Sequence, residues 1–183
     1  MTAAPSNRRV FLIGFMGAGK TSVGKALAQR LNWEFRDLDR VIEAREHKTV
    51  AQIFADSGET GFRKAECAAL EDLLANSARG KWIIALGGGA FVQPRNRTAL
   101  QQSGAITVLL EAPLHELKRR VSADGIARPL AQDEAKFAEL FESRRAAYAA
   151  AQFRIETTGK RVDEVAAEIR ELLSAVERPE VKQ

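Results

Sequence analysis

Gly14-Phe15-Met16-Gly17-Ala18-Gly19-Lys20-Thr21 has the form G-x-x-x-x-G-K-T, the P-loop pattern, which requires a strand leading in and a helix leading out. Both are legible in the neighbours. Val10-Phe11-Leu12-Ile13 is an apolar, β-branched and aromatic run of strand length. Beyond the motif, Val23, Leu27 and Leu31 recur at helical spacing. The residue types then dictate a chemistry. Gly14, Gly17 and Gly19 let the backbone curl so that its N–H groups converge, and the positive end of the next helix adds to them. Lys20 supplies a point charge for β- and γ-phosphates, and the hydroxyl of Thr21 can ligate Mg²⁺. The stretch therefore predicts an ATP site over Gly17, Ala18, Gly19, Lys20, Thr21 and Ser22. The competing reading is a plain glycine turn between a strand and a helix.

Working outward, strand signals fall at 10–13, 33–37, 82–86, 106–110 and 153–156, and helical periodicity fills the stretches between them. Ser57-Gly58 breaks the helical pattern that starts near 50, and a second helix is expected over 59–76. Pro94 opens another, and 114–121, 135–151 and 162–176 follow. The stretch 122–133 has no period and contains Asp124-Gly125, so it reads as a surface loop. From 177 onward a frayed tail is expected. Strands alternating with helices predict an α/β sandwich around a mostly parallel sheet. The 183 residues read as a single domain, with no repeat or linker.

Composition excludes several classes. Twenty-eight basic and 24 acidic residues leave a net charge of +4, which suits an anionic ligand. The basic residues are scattered, with two Trp and one Tyr among them, so no stripe of the kind that tracks nucleic acid is present. Two histidines without a motif argue against a zinc site or a Ser–His–Asp triad. The single cysteine, Cys67, forms no internal disulfide and reads as a small buried thiol in a reducing compartment. No apolar run approaches membrane-spanning length, and 1–7 is too short and polar for a signal peptide. A cytoplasmic enzyme without membrane or nucleic-acid partners is expected.

In a parallel sheet, ligands sit beyond the carboxyl ends of the strands. Three features follow strand ends: the glycine loop, Asp37-Leu38-Asp39, and Gly87-Gly88-Gly89. They are expected to share one cleft. A carboxylate at 37 or 39 can orient an attacking hydroxyl and take its proton, or Asp39 can simply cap the following helix. Arg63, with Glu66 at i+3, is either an oriented guanidinium or a surface ion pair. The glycine triplet marks close approach of a ligand to the backbone, or a tight turn. Arg128-Pro129 in the 122–133 loop has the make-up of a closing lid whose arginine meets the transferring phosphoryl group, or Arg128 is a solvated loop arginine. Arg144-Arg145 on the next helix carries at least one plain surface residue.

In this order and spacing, Gly14 to Thr21, Asp37-Leu38-Asp39, Gly58-x-x-x-Phe62-Arg63, Leu86-Gly87-Gly88-Gly89, Arg128-Pro129-Leu130 and Arg144-x-x-x-Tyr148 closely resemble the shikimate kinase family. The resemblance spans about 10–173. It implies a three-layer P-loop kinase fold with a five-stranded parallel sheet and a mobile lid near 122–133. It also implies MgATP-dependent phosphorylation of the 3-hydroxyl of shikimate, in aromatic amino-acid biosynthesis, by a monomer. Carried over, Asp39, Lys20 and Arg128 are catalytic, with Asp39 as base. Thr21, and Asp37 through water, hold Mg²⁺. Arg63 and Arg144 grip the shikimate carboxylate with Glu66 alongside, Gly87, Gly88 and Gly89 meet the ring hydroxyls, and Phe54 and Phe62 pack near the ring. Arg120 and Thr158 line the adenine, with Arg119 as the rival to Arg120. Glycines stand where P-loop enzymes commonly carry a carboxylate after an apolar strand, and Asp37 takes over that work. A gluconate-type kinase and a nucleotide-binding regulator without turnover are the alternatives.

Overall fold

A computed structural model describes residues 9–75, 80–123 and 133–177. Strand β1 (Arg9–Ile13) leads into α1 (Lys20–Leu31). Then come β2 (Glu34–Asp37), α2 (Leu38–Glu46) and α3 (Val50–Ala75). Strand β3 (Trp82–Ala85), a single 3₁₀ turn (Ala90–Val92) and α4 (Pro94–Gln102) follow. The chain continues through β4 (Ile106–Glu111), α5 (Leu114–Ala123), α6 (Glu134–Tyr148), β5 (Phe153–Glu156) and α7 (Val162–Glu177).

The strands pair in the order β2-β3-β1-β4-β5, every pair parallel. A parallel sheet needs both faces covered, so its inner strands become continuously apolar. The central three obey this: β3 is buried throughout, and β1 and β4 are buried apart from their ends. The edge strands are more open: β2 has no buried residue, and β5 buries only Ile155. Phe11, Leu12, Ile83, Ile84, Val108 and Leu110 form the core of the sheet, closed by α1 packed against α7 and α2 packed against α3.

Register converts this topology into a site. Asp37 pairs with Ala85, and Ala85 pairs with Leu12. The residues that follow, Leu38-Asp39, Leu86-Gly87 and Ile13-Gly14, therefore leave the sheet at one level. The Leu86 amide extends the ladder by donating to the Leu12 carbonyl at 3.0 Å. The three features expected to converge do so because the strands in front of them are in step.

The elements differ from expectation at their ends. The α3 span of 26 residues is two helices joined at Gly58, as expected: Gly58 has φ 64° and ψ −170°, a conformation open essentially to glycine alone. The expected break is thus a kink that aims Phe54 back onto Phe62, with rings stacked 4.6 Å apart at 27°. We expect Gly58→Ala to cost about 1–3 kcal/mol although a Cβ there meets no neighbour. A thermal melt several degrees lower checks this, at ~2–4 °C per kcal/mol. An unchanged melt would refute the kink. Ser122 and Ala123 belong to α5 and Asp133 caps α6 by accepting from the Lys136 amide. The stretch expected as a lid thus gives up 122 and 123 to α5 and ends at the cap of α6, and the rest of it, 124–132, lies outside the described residues. Helix α7 continues through Glu177, where a tail was expected. Cys67 is half-buried rather than fully buried.

Candidate active site

Gly19 is the N-cap residue of α1, which has no side-chain cap and no acidic residue in its first turn. Its first N–H groups and its positive dipole end are left to an anion. The loop ahead of it can follow no other course. Gly17 has φ 80°, and a Cβ built on it would lie 2.6 Å from the Leu117 carbonyl oxygen, so only glycine fits. Lys20 Nζ donates to the carbonyls of Gly14 at 2.8 Å and Phe15 at 3.1 Å, which holds the ammonium over the loop. Phe15 is anchored edge-on by Phe137 and Phe141, with centroids at 5.1 and 5.4 Å.

A cleft of about 1000 Å³ opens over this loop. Gly17, Ala18, Gly19, Lys20, Thr21 and Ser22 all line it, as do Asp37, Arg119, Arg120 and Thr157. Arg120 is the fixed arginine of the pair. It donates to the Thr157 hydroxyl and carbonyl, each at 2.9 Å, and to Glu116 at 2.8 Å. Arg119 also binds Glu116 but is 69% exposed. Hydrogen bonds from Arg119 and then Arg120 hold the Glu116 carboxyl down to about 2, so it stays ionised and keeps both guanidinium groups in place. Thr158 faces Glu156 instead, and it is Thr157, 3% exposed, that meets Arg120. Neighbouring residues on a strand end point to opposite sides, so a Thr-Thr pair does not reveal which one faces the cleft. Arg40 and Lys160 also line the cleft, and no sequence motif singles them out.

Asp37 ends β2 and caps α2. Its Oδ1 accepts from the Asp39 amide and its Oδ2 from the Thr21 hydroxyl, each at 3.1 Å. The capping role considered for Asp39 belongs to Asp37. Thr21 and Asp37 thereby present two hard oxygen ligands side by side, which fits Mg²⁺, an ion that keeps several waters and takes its other ligands from phosphates. Among the described residues no cluster of three His, Cys, Asp or Glu forms a richer metal cage.

Asp39, freed from capping, turns its carboxylate toward the glycine triplet. A Cβ on Gly87 would lie 2.9 Å from Asp39 Oδ1 and 3.4 Å from Glu66 Oε1. A Cβ on Gly88 would lie 2.9 Å from Arg144 Nη1, and one on Gly89 would lie 2.6 Å from Arg63 Nη1. Each glycine abuts one of the charged residues expected to hold the acceptor, and a side chain at any of them would push that residue aside. Burial raises the Asp39 carboxyl above the usual range, Asp37 and Glu43 add to this, and Lys20 and Arg63 oppose it. A raised value moves the group toward the range of a useful base.

Arg63 Nη1 donates to both Glu66 oxygens, at 3.0 and 2.9 Å, while its Nε and Nη2 reach Glu59. Glu66 is fully buried, and burial keeps its carboxyl above the ordinary range although Arg63 pulls it down. Burial alone would lower the Arg63 guanidinium; Glu66 and Glu59 outweigh it and raise it. This is an oriented guanidinium rather than a surface pair. Arg144 lies over the Phe15 ring at 5.6 Å and so joins the acceptor side to the phosphate loop. Its neighbour Arg145 is 74% exposed. Phe62 is buried and Phe54, stacked on it, is 39% exposed. Arg128 lies outside the described residues.

The chain matches the family model described as Shikimate kinase over residues 16–174. It is 40% identical to a shikimate kinase of Geobacter metallireducens over 171 residues, 91% of this chain and 93% of that protein. A shikimate kinase from Acinetobacter baumannii, solved in complex with shikimate, superposes with a TM-score of 0.84 at 35% identity, over 96% of this chain and 97% of the other. A gluconokinase from Sinorhizobium meliloti superposes with a TM-score of 0.58 at 15% identity, covering 94% of this chain and 98% of the other. That second likeness is one of fold alone and does not favour a gluconate-type acceptor. A family match of this extent, with relatives of one activity along nearly the whole chain, leads to one conclusion: this chain belongs to the shikimate kinase family.

Proposed function

We propose that the chain transfers the γ-phosphoryl group of ATP to the 3-hydroxyl of shikimate, with the α1 loop holding the donor and the glycine triplet holding the acceptor. The observation that carries this division of labour is the pairing of Gly87, Gly88 and Gly89 with Asp39, Arg144 and Arg63, level with the phosphate loop through strand register. Guanidinium groups match a carboxylate in two-pronged geometry, so Arg63, oriented by Glu66, and Arg144 bind the acid. The backbone of the triplet meets the ring hydroxyls, and Phe54 on Phe62 offers an apolar wall. Asp39 accepts the proton of the attacking hydroxyl. Lys20 and the α1 N-terminus stabilise charge on the transferring group. Arg120 and Thr157 flank the adenine. Mg²⁺, when bound beside Thr21 and Asp37, neutralises charge between the β- and γ-phosphates.

We assign Arg128 the role of lid arginine on its motif alone. The chain acts as a cytoplasmic monomer, one P-loop kinase domain. Among the described residues no helix is long and apolar enough to cross a membrane. Incubation with MgATP and shikimate, followed by phosphorus NMR, is expected to give a shikimate 3-phosphate signal. Phosphorylation of gluconate in its place, or ATP binding without turnover of either acid, would overturn the assignment. Light scattering at one chain mass checks the monomer.

A further inference from the structure

Tyr148 is the only tyrosine in the chain. It ends α6, is 5% exposed, and its hydroxyl donates to the Gly88 carbonyl at 2.6 Å. A glycine triplet has no side chains with which to hold its own conformation; the following turn holds the Gly87 and Gly89 carbonyls, which accept from the Ala90 and Val92 amides at 3.0 and 3.1 Å, and the Gly88 carbonyl between them is held by Tyr148. A trans peptide is planar, with its C=O and N–H pointing in opposite directions. Capturing the Gly88 carbonyl therefore turns the Gly89 N–H to the side away from Tyr148. The same helix carries Arg144 one turn earlier, on the same face. Gly88 sits against both: a Cβ on it would lie 2.9 Å from Arg144 Nη1 and 3.7 Å from the Tyr148 oxygen. One turn of α6 thus brings a charge and a clamp to one glycine. Burial pushes the Tyr148 phenol above its ordinary value, so it stays a donor throughout the working pH range.

We propose that Tyr148 is a positioning residue for the acceptor: its hydroxyl sets the orientation of the Gly88–Gly89 peptide that the substrate ring meets. It acts through the backbone and touches no reacting atom. The inference rests on the glycine triplet being the acceptor site.

Tyr148→Phe keeps the ring and removes the hydroxyl, and with it the bond to the Gly88 carbonyl and the contact with Arg144. The KM for shikimate should rise about three- to tenfold, the scale of one neutral hydrogen bond, while the KM for ATP stays within about twofold. Because the tyrosine is unique, uniform 3-fluorotyrosine labelling yields a single fluorine resonance in the otherwise unaltered chain. That resonance should move on adding shikimate alone and stay in place on adding MgATP alone. A variant that melts lower with both KM values unchanged, or a resonance indifferent to shikimate, overturns the proposal and leaves Tyr148 a packing residue. Should the variant not fold, the fluorine titration decides by itself. Failure of the unaltered enzyme to phosphorylate shikimate would instead sink the functional assignment, so the two failures are distinguishable.

Discussion

Asp39→Asn should lower kcat at least on the order of a hundredfold, the usual range for losing a positioned base, and should make the protein melt at a higher temperature. Both effects have one cause. The Asp39 carboxyl is held above its ordinary value, first by burial and then by Asp37 and Glu43. The native state therefore binds this proton more tightly than the unfolded chain does. By linkage, stability falls as pH rises from the unfolded carboxyl value, about 4, through the raised native one, and stays reduced at neutral pH. The ionised carboxylate is kept at a cost in stability, and asparagine removes that cost. A melt of the variant at pH 7 should lie above that of the parent, with the difference shrinking as the pH is lowered. In the parent, kcat/KM should fall on the acid side with an inflection above 4, the ordinary carboxyl value, and that limb should vanish in the variant. A kcat near the parent's would remove Asp39 from the proton's path. A lower melt would mean that the carboxylate is structurally satisfied after all.

Arg63→Ala should produce the second large effect, and here activity and stability move together. The guanidinium is aligned by Glu66 and Glu59. Its removal deletes charge-assisted bonds to the acceptor carboxylate, about 1.5–3 kcal/mol. The KM for shikimate should rise roughly 10- to 150-fold, while the KM for ATP changes little. The variant also leaves Glu66, 0% exposed, without its partner. Breaking a buried pair from one side costs about 3–5 kcal/mol, or on the order of 10 °C in a chain of this size. Replacing Glu66 by Gln in the same chain should return much of the lost melting temperature without restoring the KM. Since Arg63 pulls the Glu66 carboxyl down, its loss lets that value climb further, and acidification should narrow the gap in stability between variant and parent. Equal rises in the two KM values would place Arg63 outside the acceptor site.

What could be read in the sequence was what short-range physics decides. The G-x-x-x-x-G-K-T stretch carries its own backbone requirements, and the apolar runs at 10–13, 82–86 and 106–110 could only be buried strands. The order of motifs along the chain then sufficed for the family. The triplet Gly87-Gly88-Gly89 was legible as a place of close approach, although what approaches it was not. The side chains at Asp39, Arg63 and Arg144 reach it from three different helices.

The remaining decisions depended on atoms brought together from far apart in the chain. Asp37-Leu38-Asp39 offers two carboxylates, and either could cap α2. The turn out of β2 puts Asp37 against the Asp39 amide and Thr21, leaving Asp39 for the cleft. Thr157 and Thr158 are alike until Arg120, 37 residues earlier, selects Thr157. The Arg63–Glu66 pair is spaced like any surface pair, and only the packing of α3 buries Glu66 and so orients the guanidinium. Tyr148 held a place in a motif without a visible task until Gly88, 60 residues away, came to its hydroxyl. The sequence by itself determined the sheet, the phosphate loop and the identity of the charged groups, because backbone propensity and hydrophobic period are local. The tertiary structure alone decided which carboxylate caps α2, which is buried, and which charged groups meet the glycine triplet, because burial and hydrogen-bond partners exist only once the strands are in register.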